Sequence, residues 1–176
     1  MTETKRIMAV LPILAYPDPR LRKKAQPIGL FDAALSSLLD DLFETMYDDN
    51  GVGLAATQVN IHLRVLTVDP MENNGRQPFY LINPEIIARD GSIESPEGCL
   101  SVPGAYDKVK RSQRVKVSAF DKEGKAFEME AEGFHAAIIQ HEIDHLNGIL
   151  FIDHLSSIKR ERVRKHLLEL SKEKKS

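Results

Sequence analysis

The sequence predicts an α+β fold: mixed or antiparallel strands packed around a central helix that carries the HExxH pattern of His141, Glu142 and His145, with one helix before the strands and another at the C-terminus. Three observations lead there. Apolar residues recur at helical spacing in three separate stretches, around residues 32–49, 134–146 and 157–170. Period-two alternation fills much of the chain between the first two of them. Helices and strands fall in blocks, without the regular βαβ alternation of a parallel sheet.

Taken in order, the first helix lies in FDAALSSLLDDLFETMYDDNG, where Leu35, Leu38, Leu39, Leu42, Phe43 and Met46 share a face. Asp32 can cap its start, and Asn50-Gly51 supplies a stop. RVLTVD reads as a buried strand, MENNGRQP as a polar loop, and FYLINPEII as a second strand interrupted by Pro84. RVKVSAF, DKEGK and AFEMEA alternate, turn and alternate again, which is a hairpin. FHAAIIQHEIDHL returns to helical spacing through Phe134, Ala137, Ile138, His141 and His145. After a break at Gly148, SSIKRERVRKHLLEL forms a final helix capped near Ser157.

At 176 residues, 42% hydrophobic and 28% charged, the chain is expected to be one soluble domain over residues 1–176, with 156–176 as its basic C-terminal helix and tail. A single cysteine excludes an internal disulfide and fits a reducing cytoplasm. No stretch approaches the roughly 20 apolar residues of a membrane span. The opening MTETKRIMAVLPILAYP imitates a secretory signal, with Lys5 and Arg6 before an apolar run. Pro12 interrupts that run and no small-residue cleavage site follows, so a buried N-terminal strand is expected instead. The net charge of −2 hides an asymmetry: residues 159–176 hold eight Lys or Arg against three Glu, +5, which leaves −7 for the rest. That basic end is either a solvated helix face or a contact with a nucleic-acid-rich partner.

The chemistry centres on QHEIDHLNG, residues 140–148. Residues four apart on a helix sit about 40° from one another, so His141 and His145 present their imidazoles side by side, within reach of one ion. Glu142, rotated about 100° from His141, can handle the proton of a water without occupying that ion. The competing reading is a charged helix face with satisfied histidines. A third ligand is needed. In the long zincin pattern it would be a histidine at position 151, which is Phe151, and His154 comes three residues too late. A glutamate about 20 residues on would fall at Lys165, and Glu161 and Glu169 are off register. Cys99, in EGCLSVPG, would complete a sound ligand set for a soft-to-borderline divalent ion, although a lone cysteine is more often a small buried hydrophobe. GVGLAATQ, residues 51–58, with Asp69 after a strand, echoes a dinucleotide fingerprint but lacks the strand that should precede its first glycine.

GVGLAATQ, EGCLS and QHEIDH, in this order, resemble the three signature motifs of the peptide deformylase family. ILAYPDPRLRKKA and LFIDHLSSIKRERVRKHLLEL are also similar to its bacterial members, so the resemblance runs from about Ile13 to Leu170. It implies hydrolysis of the formyl group from formylmethionine on newly made chains. It implies Cys99, His141 and His145 as metal ligands, Glu142 as general base, and Gln58 with the Leu100 amide as oxyanion donors. Backbone around Val52 and Gly53, and around Glu97 and Gly98, would pair with the substrate as an added strand. The implied metal is Fe(II), one per chain, replaceable by Zn, Ni or Co. The implied partners are nascent formylmethionyl polypeptides and the ribosome near its tunnel exit, met through the basic C-terminal helix in the cytoplasm, with no direct DNA binding and no membrane. Arg111 and Asp144 are expected either to orient ligands or to form a surface ion pair. Tyr106 stands where some members carry arginine, and Ala137 where a larger aliphatic residue is common. His135 replaces an apolar residue and points about 120° from the ligand face, a structural position. The runner-up reading is a zincin-type metallopeptidase.

Overall fold

The computed structural model describes residues 8–72 and 75–174. Within them lie the helices α1 (Ala33–Asp48), α2 (Gly133–Leu146) and α3 (Ser157–Glu173). The strands are β1 (Gly53–Ala55), β2 (Val65–Val68), β3 (Phe79–Asp90), β4 (Ile93–Cys99), β5 (Val102–Arg111), β6 (Arg114–Phe120) and β7 (Ala126–Glu132). They form a five-stranded sheet in the order β1-β2-β3-β6-β7 and a separate β4-β5 ribbon. Every strand pair is antiparallel. The α+β arrangement read from the sequence is the one observed.

α1 begins where expected: the Asp32 carboxylate accepts the Leu35 N–H at 3.0 Å. Its apolar face, with Leu39, Leu42 and Met46, packs on Leu54, Val65 and Ile82. α2 is different, because ten of its residues, from Ala136 to Leu146, are buried. It lies against β1, β2 and β7, with Ile139, Ile143 and Leu146 meeting Leu66, Leu81 and Val117. Each such aliphatic side chain taken from water contributes about 1.5–3 kcal/mol, which fixes the helix that carries His141, Glu142 and His145. α2 stops because Gly148 has φ +76°, and a Cβ there would lie 2.5 Å from the Arg22 carbonyl oxygen. Leu167 of α3 reaches a third cluster with Leu21, Val102, Val109, Phe151 and Leu155.

Three expectations are corrected or refined, and one pair of strands was not foreseen. Pro84 interrupts the pairing without ending the strand: the ladder shifts register between Ile82 and Glu85, and β3 continues to Asp90. Asn83 at that bulge has φ 50°, and its side chain bonds both the N–H and the carbonyl of Ile28 at 2.8 Å. The described part of the N-terminal segment joins no sheet. Ala9 and Leu11 donate instead to the Asp41 carboxylate and Thr45 hydroxyl of α1, each at 2.9 Å, while Met8 and Val10 stay exposed. Lys5 and Arg6 lie outside the described residues, as do Asn73, Asn74 and Lys175. The cap of α3 is Ser156, whose hydroxyl accepts the Lys159 N–H at 3.3 Å. The β4-β5 ribbon had no forecast, since Pro96, Gly98, Pro103 and Gly104 break the alternation of its strands. Among the described residues, no helix is long and apolar enough to cross a membrane.

Candidate metal centre

β4 ends at Cys99, and the ribbon turns directly above the buried helix α2. The Cys99 Sγ lies 3.2 Å from His145 Nε2. The His141 and His145 rings are 5.0 Å apart between centroids. One ligand atom from each of Cys99, His141 and His145 falls within 4.8 Å of the others. Cys99 does pack on the cluster of Leu21, Val102 and Phe151, but its sulfur also faces two imidazoles, which the small-hydrophobe reading leaves unexplained. Two nitrogens and a sulfur converging in a buried site suit a soft-to-borderline divalent ion. A second sign of fit is Glu142 beside them, whose Oε2 is buried without a hydrogen-bond partner.

The surroundings orient His141, whereas His145 Nδ1 is buried without a hydrogen-bond partner. His141 Nδ1 meets Glu97 Oε1 at 2.9 Å. Arg111 grips the same carboxylate with two hydrogen bonds, Nε to Oε2 at 2.8 Å and Nη2 to Oε1 at 2.7 Å. Its third contact, Nη1 to Asp144 Oδ2 at 2.7 Å, reaches α2. Arg111 is 5% exposed, so it is no surface ion pair. Burial alone would raise the Glu97 carboxyl, but the bonds from Arg111, then from His141, hold it down at about 2. Burial pushes Glu142 the other way, up to about 7. Desolvation above all holds His145 well below the ordinary imidazole range, which favours the neutral form that ligates. Glu97 was expected only to offer backbone to a substrate; its side chain orients a histidine, a role that becomes visible once β4 and β5 are paired.

A cleft of about 310 Å³ opens over this centre, lined by Gly51, Val52 and Gly53 on one side and Glu97, Gly98 and Cys99 on the other. Its mouth carries the exposed rings of Tyr106 and Phe134, and its wall includes Ala137 and Ile138. Gly53 is required at this point, because a Cβ there would lie 2.9 Å from Glu142 Oε1. Gln58 is fully buried: its Oε1 accepts the Ala55 N–H at 2.9 Å and its Nε2 donates to Ser101 Oγ at 3.0 Å. That amide also faces Cys99 Sγ at 3.7 Å, and the Ser101 N–H points at the same sulfur at 3.4 Å. Ser101 was missed in the sequence, although it closes the EGCLS stretch. Leu100 lines the cleft beside Gly51. His135 lies outside the cleft lining, 3.7 Å from Glu72.

The other readings do not survive. The segment before Gly51 is helix α1, and Asp69 is already saturated by the Tyr47 hydroxyl and the N–H groups of Met71 and Gln77, so no dinucleotide fingerprint is formed. Glu161 binds Arg164 on an exposed face, and Phe151 stacks on the His141 ring instead of supplying a ligand.

Fold and site together define an α+β protein with a candidate metal centre at the base of a strand-lined cleft. The family model for polypeptide deformylase matches residues 10–161, and the chain belongs to that family. It is 53% identical over 163 residues to the peptide deformylase of Alkalilimnicola ehrlichii, spanning 93% of this chain and 92% of that one. It is 52% identical to the peptide deformylase of Chromobacterium violaceum, spanning 94% and 99%. The crystal structure of a peptide deformylase from Legionella pneumophila superposes with a TM-score of 0.88 at 47% identity, over 94% of this chain and 98% of that one. A peptide deformylase from Synechococcus elongatus in complex with actinonin gives 0.83 at 36% identity, over 89% and 86%.

The buried pair yields a direct expectation for stability. Arg111→Leu leaves Glu97 buried without its cation and should cost about 3–5 kcal/mol in denaturant unfolding of the metal-free protein. Adding Glu97→Gln should recover part of that loss. A cost below about 1 kcal/mol for Arg111→Leu would contradict the burial and pairing described here.

Proposed function

We propose that this chain is the cytoplasmic metallohydrolase that removes the formyl group from N-terminal formylmethionine of nascent polypeptides, releasing formate. The observation that carries the reading is a buried Glu142 carboxylate whose Oε2 has no hydrogen-bond partner, beside Cys99, His141 and His145, at the floor of a cleft open to an extended chain. The names of its relatives support the reaction, and the sulfur and imidazole donors support Fe(II), with Zn, Ni or Co as substitutes. Cys99, His141 and His145 would hold that ion, which supplies Lewis-acid polarisation and acidifies water.

The remaining chemistry belongs to the chain. Glu142 accepts a proton from water as its oxygen attacks the formyl carbon, and gives that proton to the amine as the C–N bond breaks. A carboxyl that burial holds near pH 7 is matched to both transfers. The Gln58 amide has two hydrogens; Ser101 takes one, and the other, which faces Cys99 Sγ, would turn with the Leu100 N–H to the developing oxyanion. Backbone at Val52, Gly53, Glu97 and Gly98 pairs with the peptide as an added strand. The methionine side chain faces Ala137, Ile138 and Phe134, where the small Ala137 leaves room.

Formate release from a formyl-Met peptide tests the reading, and its absence from metal-loaded protein would overturn it. Glu142→Gln should keep its metal and lose about 10²–10⁴-fold in turnover, since the base is gone and the ligands remain. A variant retaining a tenth of the activity would remove Glu142 from this role.

The basic α3 supports docking at the ribosomal tunnel exit. Leu167 anchors the helix to the core, while Arg160, Lys165 and Lys172 are exposed. Because α3 contributes to the core, charge reversal is the cleaner test than deletion. Lys165→Glu with Lys172→Glu should weaken salt-sensitive ribosome binding and leave hydrolysis of a short peptide unchanged. Unaltered ribosome affinity would return α3 to a solvated face.

A further inference from the structure

We propose that His154, at the outer end of a hydrogen-bond chain, is a positioning residue that fixes the metal ligand His141 from the far side of Arg111. The inference rests on the metal centre proposed above. His154 Nε2 lies 2.8 Å from Asp144 Oδ2. The same oxygen takes Arg111 Nη1 at 2.7 Å. Arg111 Nη2 continues to Glu97 Oε1 at 2.7 Å, and that oxygen reaches His141 Nδ1 at 2.9 Å.

The direction of every bond in this chain is forced. A guanidinium only donates and a carboxylate only accepts, so His154 must present an N–H to Asp144 and His141 must present its Nδ1–H to Glu97. With Nδ1 committed to Glu97, Nε2 is the His141 nitrogen turned toward Cys99 and His145, the one a metal would take after losing its proton. His154 is the most exposed member of the chain, with 37% of its side chain open against 20% for Asp144 and 4% for Arg111.

A second tie runs through the same turn. Residues Phe151–His154 form one 3₁₀ turn, and the Phe151 ring stacks on His141 at 6.1 Å between centroids, inclined by 23°. The turn has two polar anchors. One is His154 on Asp144; the other is Asp153, which binds Arg22 and the Leu150 N–H. Only the His154 anchor leads to the ligand. Losing it leaves the Asp144 carboxylate with one donor, while Asp153 still holds the turn and the Phe151 ring.

The two anchors make the test selective. Cobalt(II) affinity, measured by chelator competition, and the cobalt absorption bands are compared in the wild type, His154→Ala, His154→Gln and Asp153→Asn. His154→Ala should bind cobalt about threefold to tenfold more weakly, at or below the usual loss for an outer partner of a ligand, with shifted bands. His154→Gln, whose amide nitrogen can replace Nε2 as donor, should return within about twofold of wild type. Asp153→Asn should lower the thermal midpoint while leaving affinity and bands unchanged. Wild-type affinity and bands in His154→Ala would overturn the inference, as would an equal loss in Asp153→Asn. A wild-type protein that binds no cobalt would overturn the metal centre itself, a result distinct from either.

Discussion

The Arg111 guanidinium, buried between Glu97 of β4 and Asp144 of α2, is the interaction on which the site depends. It joins two parts of the molecule that share little else: the β4-β5 ribbon and α2 make few direct contacts, yet their ligands must meet within 4.8 Å. Three hydrogen bonds from one planar group fix both carboxylates, and Glu97 in turn fixes His141. Such a buried network gives little net stability compared with a well-packed apolar core. Its value is orientation: lysine, a flexible point charge, could not make the same fork.

Around that frame, space is created by small residues and then filled by chemistry. Gly53 leaves the volume that the Glu142 side chain occupies, and α2, buried along most of its length, keeps that carboxylate out of water. The result is an acid held near neutrality by desolvation, about one helical turn from His145, whose imidazole the same burial holds well below its ordinary range. Gln58 links the two walls of the cleft, accepting from Ala55 and donating to Ser101, so the wall formed by β1 and the turn after it and the wall formed by β4 keep a fixed separation.

Much of this was legible in the sequence, and the boundary has physical causes. α1 and the β6-β7 hairpin were visible because one face of each is buried, which writes a 3.6 or a 2 period into the residues. α2 was placed by the same means. The β4-β5 ribbon was not, since prolines and glycines disturb its pattern. Its absence hid the pairing of Arg111 with Glu97, fourteen residues apart, which needs the hairpin register to be known. Cys99 illustrates the same limit: helical spacing joins His141 to His145, but only a motif resemblance, or the fold, brings in a thiol 42 residues earlier than His141. The role of His154 lay further out, because a spacing argument that rejects a ligand says nothing about the partners of ligands.

X-ray absorption at the zinc edge of the zinc-loaded protein measures the ligand set directly. The arrangement of Cys99, His141 and His145 predicts one sulfur at about 2.3 Å and two imidazole nitrogens at about 2.0–2.1 Å, with a light atom completing the shell. A first shell of nitrogen and oxygen alone, without sulfur, would contradict the account.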